Sequence, residues 1–174
     1  ATTFELVKVN YPTMFTADST TFAGEINARE QGLNSDGYLV GPNFNEYSST
    51  ERITLQANTV FETTVKMNNA YSFGIVFDIG NSVWLRIQAR PTFQREFHPD
   101  YITITNYAGQ DVTQNVQLSQ APANDEVTFK VVFDSEHGKI YLFVNGENYS
   151  SYITVPYAGT DVVRARFNYL CEKD

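Results

Sequence analysis

Cysteine is nearly absent. The 174-residue chain has one, Cys171, so no disulfide within the chain can brace it. A lone free thiol fits a cytosolic protein, and equally a secreted bacterial domain that does without disulfides. Basic residues are also few: Lys and Arg number 12 against 20 Asp and Glu, and the net charge is −8. Binding a nucleic-acid backbone or an anionic membrane surface calls for the opposite balance, so the composition argues against both as partners. No apolar run approaches the roughly 20 residues of a membrane span. There is no Gly-x-Ser-x-Gly, no His/Cys spacing of the zinc type and no phosphate-cradling glycine loop. The two histidines, His98 and His137, fall in predicted turns, which leaves nucleophilic catalysis without support.

Helical periodicity is missing too. Short alternating runs broken by Gly, Asn, Asp and Pro take its place, the pattern of an all-β sandwich. Strands are expected at 4–9, 21–26, 37–40, 52–56, 60–67 and 71–79. More are expected at 83–90, 101–107, 115–119, 127–134, 139–145, 152–155 and 162–170. So many strands exceed one small barrel, and two packed antiparallel sheets are the economical solution. A chain of this length buries roughly 70 % of its unfolded surface without metals or bridges. It therefore reads as a single domain over 1–174. Its start at Ala1 with no apolar leader suggests a segment excised from a longer secreted protein. Hairpin turns are expected at Asn68-Asn69-Ala70, Gly80-Asn81-Ser82 and Ser135 to Gly138.

The run Val83 to Arg90 is the most informative. With period two, Val83, Leu85, Ile87 and Ala89 form a core face, leaving Trp84, Arg86, Gln88 and Arg90 on the other side. The chain's only Trp thus lines up with two guanidinium groups and an amide, a set suited to a polar ligand with apolar patches, such as a sugar. The plainer alternative places Trp84 under a loop with solvated arginines beside it. The predicted turns fix a register: Asp78 faces Trp84, Val76 faces Arg86, Gly74 faces Gln88 and Ser72 faces Arg90. The same reasoning places Glu62 opposite Val76. With Tyr101 and Tyr107 from the next strand, the expected ligand face is Trp84, Arg86, Gln88, Arg90, Tyr101, Tyr107, Asp78 and Glu62. Gly74 near its middle marks a bulge or a depression. The stretch from Tyr101 to Val112 also resembles that from Tyr152 to Val162, which reads as two strand-to-turn units.

The run Val127-Thr-Phe-Lys-Val-Val-Phe-Asp134, a short turn, and Lys139-Ile-Tyr-Leu-Phe-Val-Asn-Gly146 resemble the late hairpin of concanavalin A-like jelly rolls. Asp36-Gly-Tyr-Leu and Phe61-Glu-Thr-Thr-Val-Lys-Met are similar to the strands preceding it, so the resemblance covers about residues 36 to 146. It implies a two-sheet antiparallel β-sandwich akin to laminin-G-like domains, legume-type lectins and bacterial carbohydrate-binding modules. By that resemblance the chain is expected to be a non-catalytic, monomeric carbohydrate-binding module and not an enzyme. It would target a secreted glycan-degrading enzyme to polysaccharide, and would be extracellular, secreted or attached to the cell surface. The two arginines tilt the ligand toward an acidic or densely hydroxylated glycan. One structural calcium ion is implied, with Asp36 and Asp161 as metal ligands and Asn34 and Asp18 as further oxygen donors. The alternatives are a protein-binding or adhesion domain of the same fold, or a glycoside hydrolase using Glu62 and Asp78, since that chemistry needs two carboxylates about 5 to 9 Å apart. Jelly-roll glucanases carry their acids as Glu-x-Asp-x-Glu on one strand, and this chain has no such run.

Overall fold

The computed structural model describes residues 4–15, 32–33, 39–40, 46–48, 53–67, 70–92 and 98–171. Fourteen strands are described. In chain order the first seven are β1 (Glu5–Phe15), β2 (Gly32–Leu33), β3 (Leu39–Val40), β4 (Glu46–Ser48), β5 (Ile53–Leu55), β6 (Thr59–Met67) and β7 (Ala70–Gly80). The rest are β8 (Val83–Arg90), β9 (Tyr101–Ala108), β10 (Asp111–Gln117), β11 (Glu126–Asp134), β12 (Lys139–Val144), β13 (Glu147–Asn148) and β14 (Val163–Cys171). One sheet runs β1-β6-β11-β12-β13; the other runs β10-β9-β8-β7-β14-β4, with β5 also on β14. A short β2-β3 pair stands apart from both. The architecture is the expected two-sheet jelly-roll sandwich, antiparallel except that β1 lies parallel to β6.

The alternation read from the sequence is what closes the two sheets on each other. In β11, Val127, Phe129, Val131 and Phe133 are fully buried, and Leu85, Ile87 and Ala89 of β8 are buried against them from the other sheet. Edge-to-face contacts join the layers, Phe61 to Phe77 at 5.4 Å and Phe77 to Phe133 at 5.2 Å. Such ring pairs are the favoured aromatic geometry and add to simple burial.

Two tight turns fix the registers that matter. Asn81 and Ser82 both take positive φ, the two-residue hairpin geometry that matches strand twist, and they join β7 to β8. Asn145 and Gly146, also at positive φ, turn β12 into β13. The β11–β12 hairpin around Ser135 to Gly138 forms as expected.

Two expectations need correcting. The two strands on either side of Asn68-Asn69 do not pair: β6 lies between β1 and β11, while β7 lies in the other sheet. The turn's own residues 68 and 69 lie outside the described residues, as does the expected strand at 21–26. Residues 152–155 form no strand. The amides of Tyr152 and Ile153 donate to the Tyr149 and Ser150 carbonyls, and Asn106 takes the rest: its Nδ2 donates to the Tyr152 carbonyl at 2.9 Å, and the amides of Thr154 and Val155 donate to its Oδ1 at 2.8 and 3.3 Å. The turn glycines of the two similar stretches, Gly109 and Gly159, do share a positive φ.

Candidate functional site

The outer face of the seven-stranded sheet is built row by row from its registers. One row reads Asp111, Tyr107, Trp84, Asp78, Arg164 and Thr54 from β10 across to β5. The next reads Thr113, Thr105, Arg86, Val76 and Arg166. Then come Asn115, Thr103, Gln88, Gly74 and Asn168, and beyond them Gln117, Tyr101 and Arg90. The expected pairs Asp78–Trp84, Val76–Arg86 and Gly74–Gln88 are all present. The β7–β8 ladder closes at Phe73 with Ala89, one step short of the expected Ser72–Arg90 pair, and it shifts at its other end, where Gly80 lies opposite Val83.

Trp84 is half-buried and stacked on Tyr107, ring centroids 5.2 Å apart and planes 11° from parallel. Adjacent positions on neighbouring strands bring the two rings together, so they form one block and not two separate platforms. The Arg86 guanidinium lies 5.8 Å from the Trp84 ring centroid, within cation–π range. Val76 is only 3 % exposed yet lies outside the central core; it is flanked in register by Arg86 and Arg166, whose aliphatic stems are suited to cover it. The Nε atoms of Arg86, Arg90 and Arg166 are buried without a hydrogen-bond partner. Side-chain hydrogen bonds stiffen the flank, Thr103 to Asn115 at 2.8 Å and Thr113 to Thr105 at 3.2 Å.

Gly74 is neither a bulge nor a depression. The ladder passes through it in register, and a Cβ there would meet Gln88 Cγ at 2.6 Å. The stem of Gln88 lies across the glycine, which is how Gln88 comes to be only 8 % exposed on this face.

Six of the eight expected face residues are on β8 and β9, Asp78 joins them from β7, and Glu62 does not. Phe61, Thr63 and Val65 fill the core, so Glu62 emerges on the outside of the five-stranded sheet, in register with Lys130. The sandwich itself, with sheets about 10 Å apart, separates it from Asp78, which is too far for two carboxylates to flank one glycosidic bond. Glu62 and Asp78 therefore do not form the expected carboxylate pair. The expected strand at 162–170 is present as β14, but its place beside β7, which brings Arg164 and Arg166 onto this face, was not foreseen: they alternate with buried Val163 and Ala165 just as Arg86 and Arg90 alternate with core residues. That alternation was visible; the partner of the strand was not.

At the edge of this face an open cleft of about 310 Å³ is lined by Asp78, Gly80, Asn81, Asp161, Val162 and Arg164. Asp161 approaches the Gly80 backbone, its Cβ, Cγ and Oδ1 each 3.9 Å from where a Gly80 Cβ would lie. Of the implied calcium ligands, Asp36, Asn34 and Asp18 lie outside the described residues. Among the described residues no group of three or more His, Cys, Asp or Glu side chains is placed to hold a metal ion.

The loop ends carry the other polar pairs. His137 Nδ1 lies 2.8 Å from Asp134 Oδ2, and the His137 amide donates to Oδ1 at 3.1 Å. Burial pushes the Asp134 carboxyl up, but the bonds from His137 outweigh it and hold it below the usual value. On the opposite rim Tyr149 Oη donates to Glu147 at 3.0 Å; burial, with that carboxylate's help, pushes the phenol up to about 12.

No protein-family model matches the chain, and no curated protein matches it in sequence. Solved structures do resemble it. Porphyranase B from Zobellia galactanivorans is 12 % identical, over 84 % of this chain and 61 % of that one, with a TM-score of 0.45. A family 16 endo-glucanase from Bacteroides ovatus is 9 % identical over 74 % and 61 %, TM-score 0.48. Sheep galectin-11 is 10 % identical over 76 % and 96 %, TM-score 0.43. This chain spans about six tenths of the length of the two enzymes. Identities so low speak to fold alone, and at these TM-scores the two-sheet sandwich rests on this chain's own strand order. Because solved structures of this kind include a glycoside hydrolase and a porphyranase beside a lectin, the expectation that the chain is not an enzyme is corrected: the jelly-roll resemblance on which it rested does not separate modules from enzymes.

Proposed function

We propose that the outer face of the seven-stranded sheet recognises polysaccharide. The observation that carries this is the stacked Trp84–Tyr107 block set in rows of arginine, threonine and amide side chains. Ring surface engages the apolar face of a sugar, while guanidinium and amide donors take its hydroxyls. A solvated sheet face has no use for that combination. With a polysaccharide partner, we read the working protein as extracellular, secreted or attached to the cell surface. Affinity electrophoresis in gels containing soluble polysaccharides tests the reading. At least one glycan should retard the parent protein, and Trp84→Ala and Tyr107→Ala should run as in a glycan-free gel. Retardation of both variants equal to that of the parent would place the binding surface elsewhere.

A second reading, glycan cleavage, has its own support in the cleft that joins the same face. Asp78 sits in the Trp84 row, and Asp161 lines the cleft with it beside Arg164. Glycoside hydrolysis asks for two carboxylates flanking the bound sugar, one as acid and one as base or nucleophile. Asp161 supplies the second carboxylate that Glu62 cannot. Release of reducing ends by the parent, lost in both Asp78→Asn and Asp161→Asn while retardation persists, would establish it. Turnover that survives both substitutions would remove this pair from consideration.

A further inference from the structure

Four of the chain's seven arginines share one sheet face, although the chain as a whole carries a charge of −8. Arg86 and Arg166 flank Val76 in one row; Arg90 follows on β8, and Arg164 lies across from Asp78 on β14. With strands about 4.8 Å apart and residues rising about 3.3 Å, the backbone positions of the four span a field of roughly 10 by 20 Å. Three of them have Nε buried and unpartnered, so at that atom no carboxylate of the described protein satisfies the donor. Their neighbours in register include the neutral Val76, Gln88, Thr105 and Thr103, with Asp78 beside Arg164, Asp161 in the adjoining cleft and Asp111 at the β10 edge.

One or two guanidinium groups would serve hydroxyls as donors; four on one face add a concentration of positive charge that hydroxyls do not call for. Gathering positive charge here, against the sign of the whole molecule, stabilises negative charge on the ligand. Guanidinium matches oxyanions in a way ammonium does not, donating two parallel bonds to a carboxylate or sulfate, and every cation described on this face is Arg. Building on the glycan reading above, we infer that the polysaccharide held on this face is polyanionic. Its carboxylate or sulfate groups meet Arg86, Arg90, Arg164 and Arg166, while its ring meets the Trp84–Tyr107 block.

Isothermal titration with matched pairs of probes tests this: polygalacturonate against its fully methyl-esterified form, dextran sulfate against dextran, and polyglutamate as a polyanion without sugar. The acidic member of at least one pair should bind at least tenfold more tightly than its neutral match. Raising salt from 50 to 500 mM should erode that advantage, because the Debye length shrinks from more than 10 Å toward a few ångström. Arg164→Gln with Arg166→Gln, which keeps most of each stem, should cut the acidic affinity at least tenfold, and circular dichroism should confirm that the variant folds. Which pair responds tells carboxylate from sulfate. Equal binding of neutral and acidic members, insensitive to salt and to the double substitution, would overturn the polyanion inference and leave the glycan reading standing. Polyglutamate bound as tightly as the acidic glycan would overturn the inference from the other side. No binding to any sugar probe would remove both.

Discussion

A Cβ at position 74 would lie 2.6 Å from Gln88 Cγ and 3.0 Å from the Ile87 carbonyl oxygen. The first contact is with a flexible side chain, the second with backbone, so the strand must shift as well as the amide. Gly74→Ala should therefore cost about 1 to 3 kcal/mol, as overpacking usually does. Urea unfolding measures it, and an unchanged midpoint would show that Gln88 does not lie across the glycine. Two aromatic truncations make the sharper comparison. Phe129 is fully buried and packs 6.1 Å from Phe73, so Phe129→Ala should cost about 3 to 5 kcal/mol. Trp84 is half-buried and loses chiefly its stack on Tyr107, so Trp84→Ala should cost only about 1 to 2 kcal/mol. If the two losses came out equal, Trp84 would belong to the core.

Single strands were legible in the sequence where a tight turn sets the register and one face is apolar. β7 and β8 meet both conditions and give the Trp84 row; β9 follows ten residues later, and its side of the sheet is read from its inward Ile102 and Ile104. The step from β6 to β7 has an apolar face on both strands, yet the strands part to different sheets. Asn68-Asn69 has the composition of a hairpin turn, but in a sandwich a strand's inner face is apolar whether its successor lies beside it or across from it. Periodicity cannot tell these apart, and Glu62 was assigned to the wrong sheet for that reason. β14 was hidden by distance along the chain, since nothing in its own residues names β7 as its neighbour. Residues 152–155 alternate like a strand, yet the Tyr149 and Ser150 carbonyls and Asn106 take the backbone bonds a neighbouring strand would have made. At the β12–β13 end, Tyr149 carries a prediction for pH. Its raised phenol pKa, about 12 against an ordinary 10, means that folding holds a proton the unfolded chain releases first. That contribution is complete below pH 10 and is lost as pH rises toward 12. Alkaline unfolding should begin in this window, and Tyr149→Phe should shift it upward. A midpoint unmoved by the substitution would mean that other groups govern alkaline unfolding.

For the molecule as a whole, the two faces of the sandwich are not equivalent. The five-stranded sheet turns Glu62, Thr64, Thr128 and Lys130 outward, a mixed polar surface. The seven-stranded sheet gathers arginines around a stacked aromatic pair. The chain has one Trp, and it stands in that pair, so its fluorescence reports on one face and no other. The most direct measurement is therefore a titration of Trp84 emission with polygalacturonate and dextran sulfate, run beside calorimetry on the same samples. Emission should change saturably with the calorimetric affinity, on the order of micromolar to millimolar. Calorimetric binding with no change in emission would contradict the account, because the glycan would then be held somewhere other than beside Trp84.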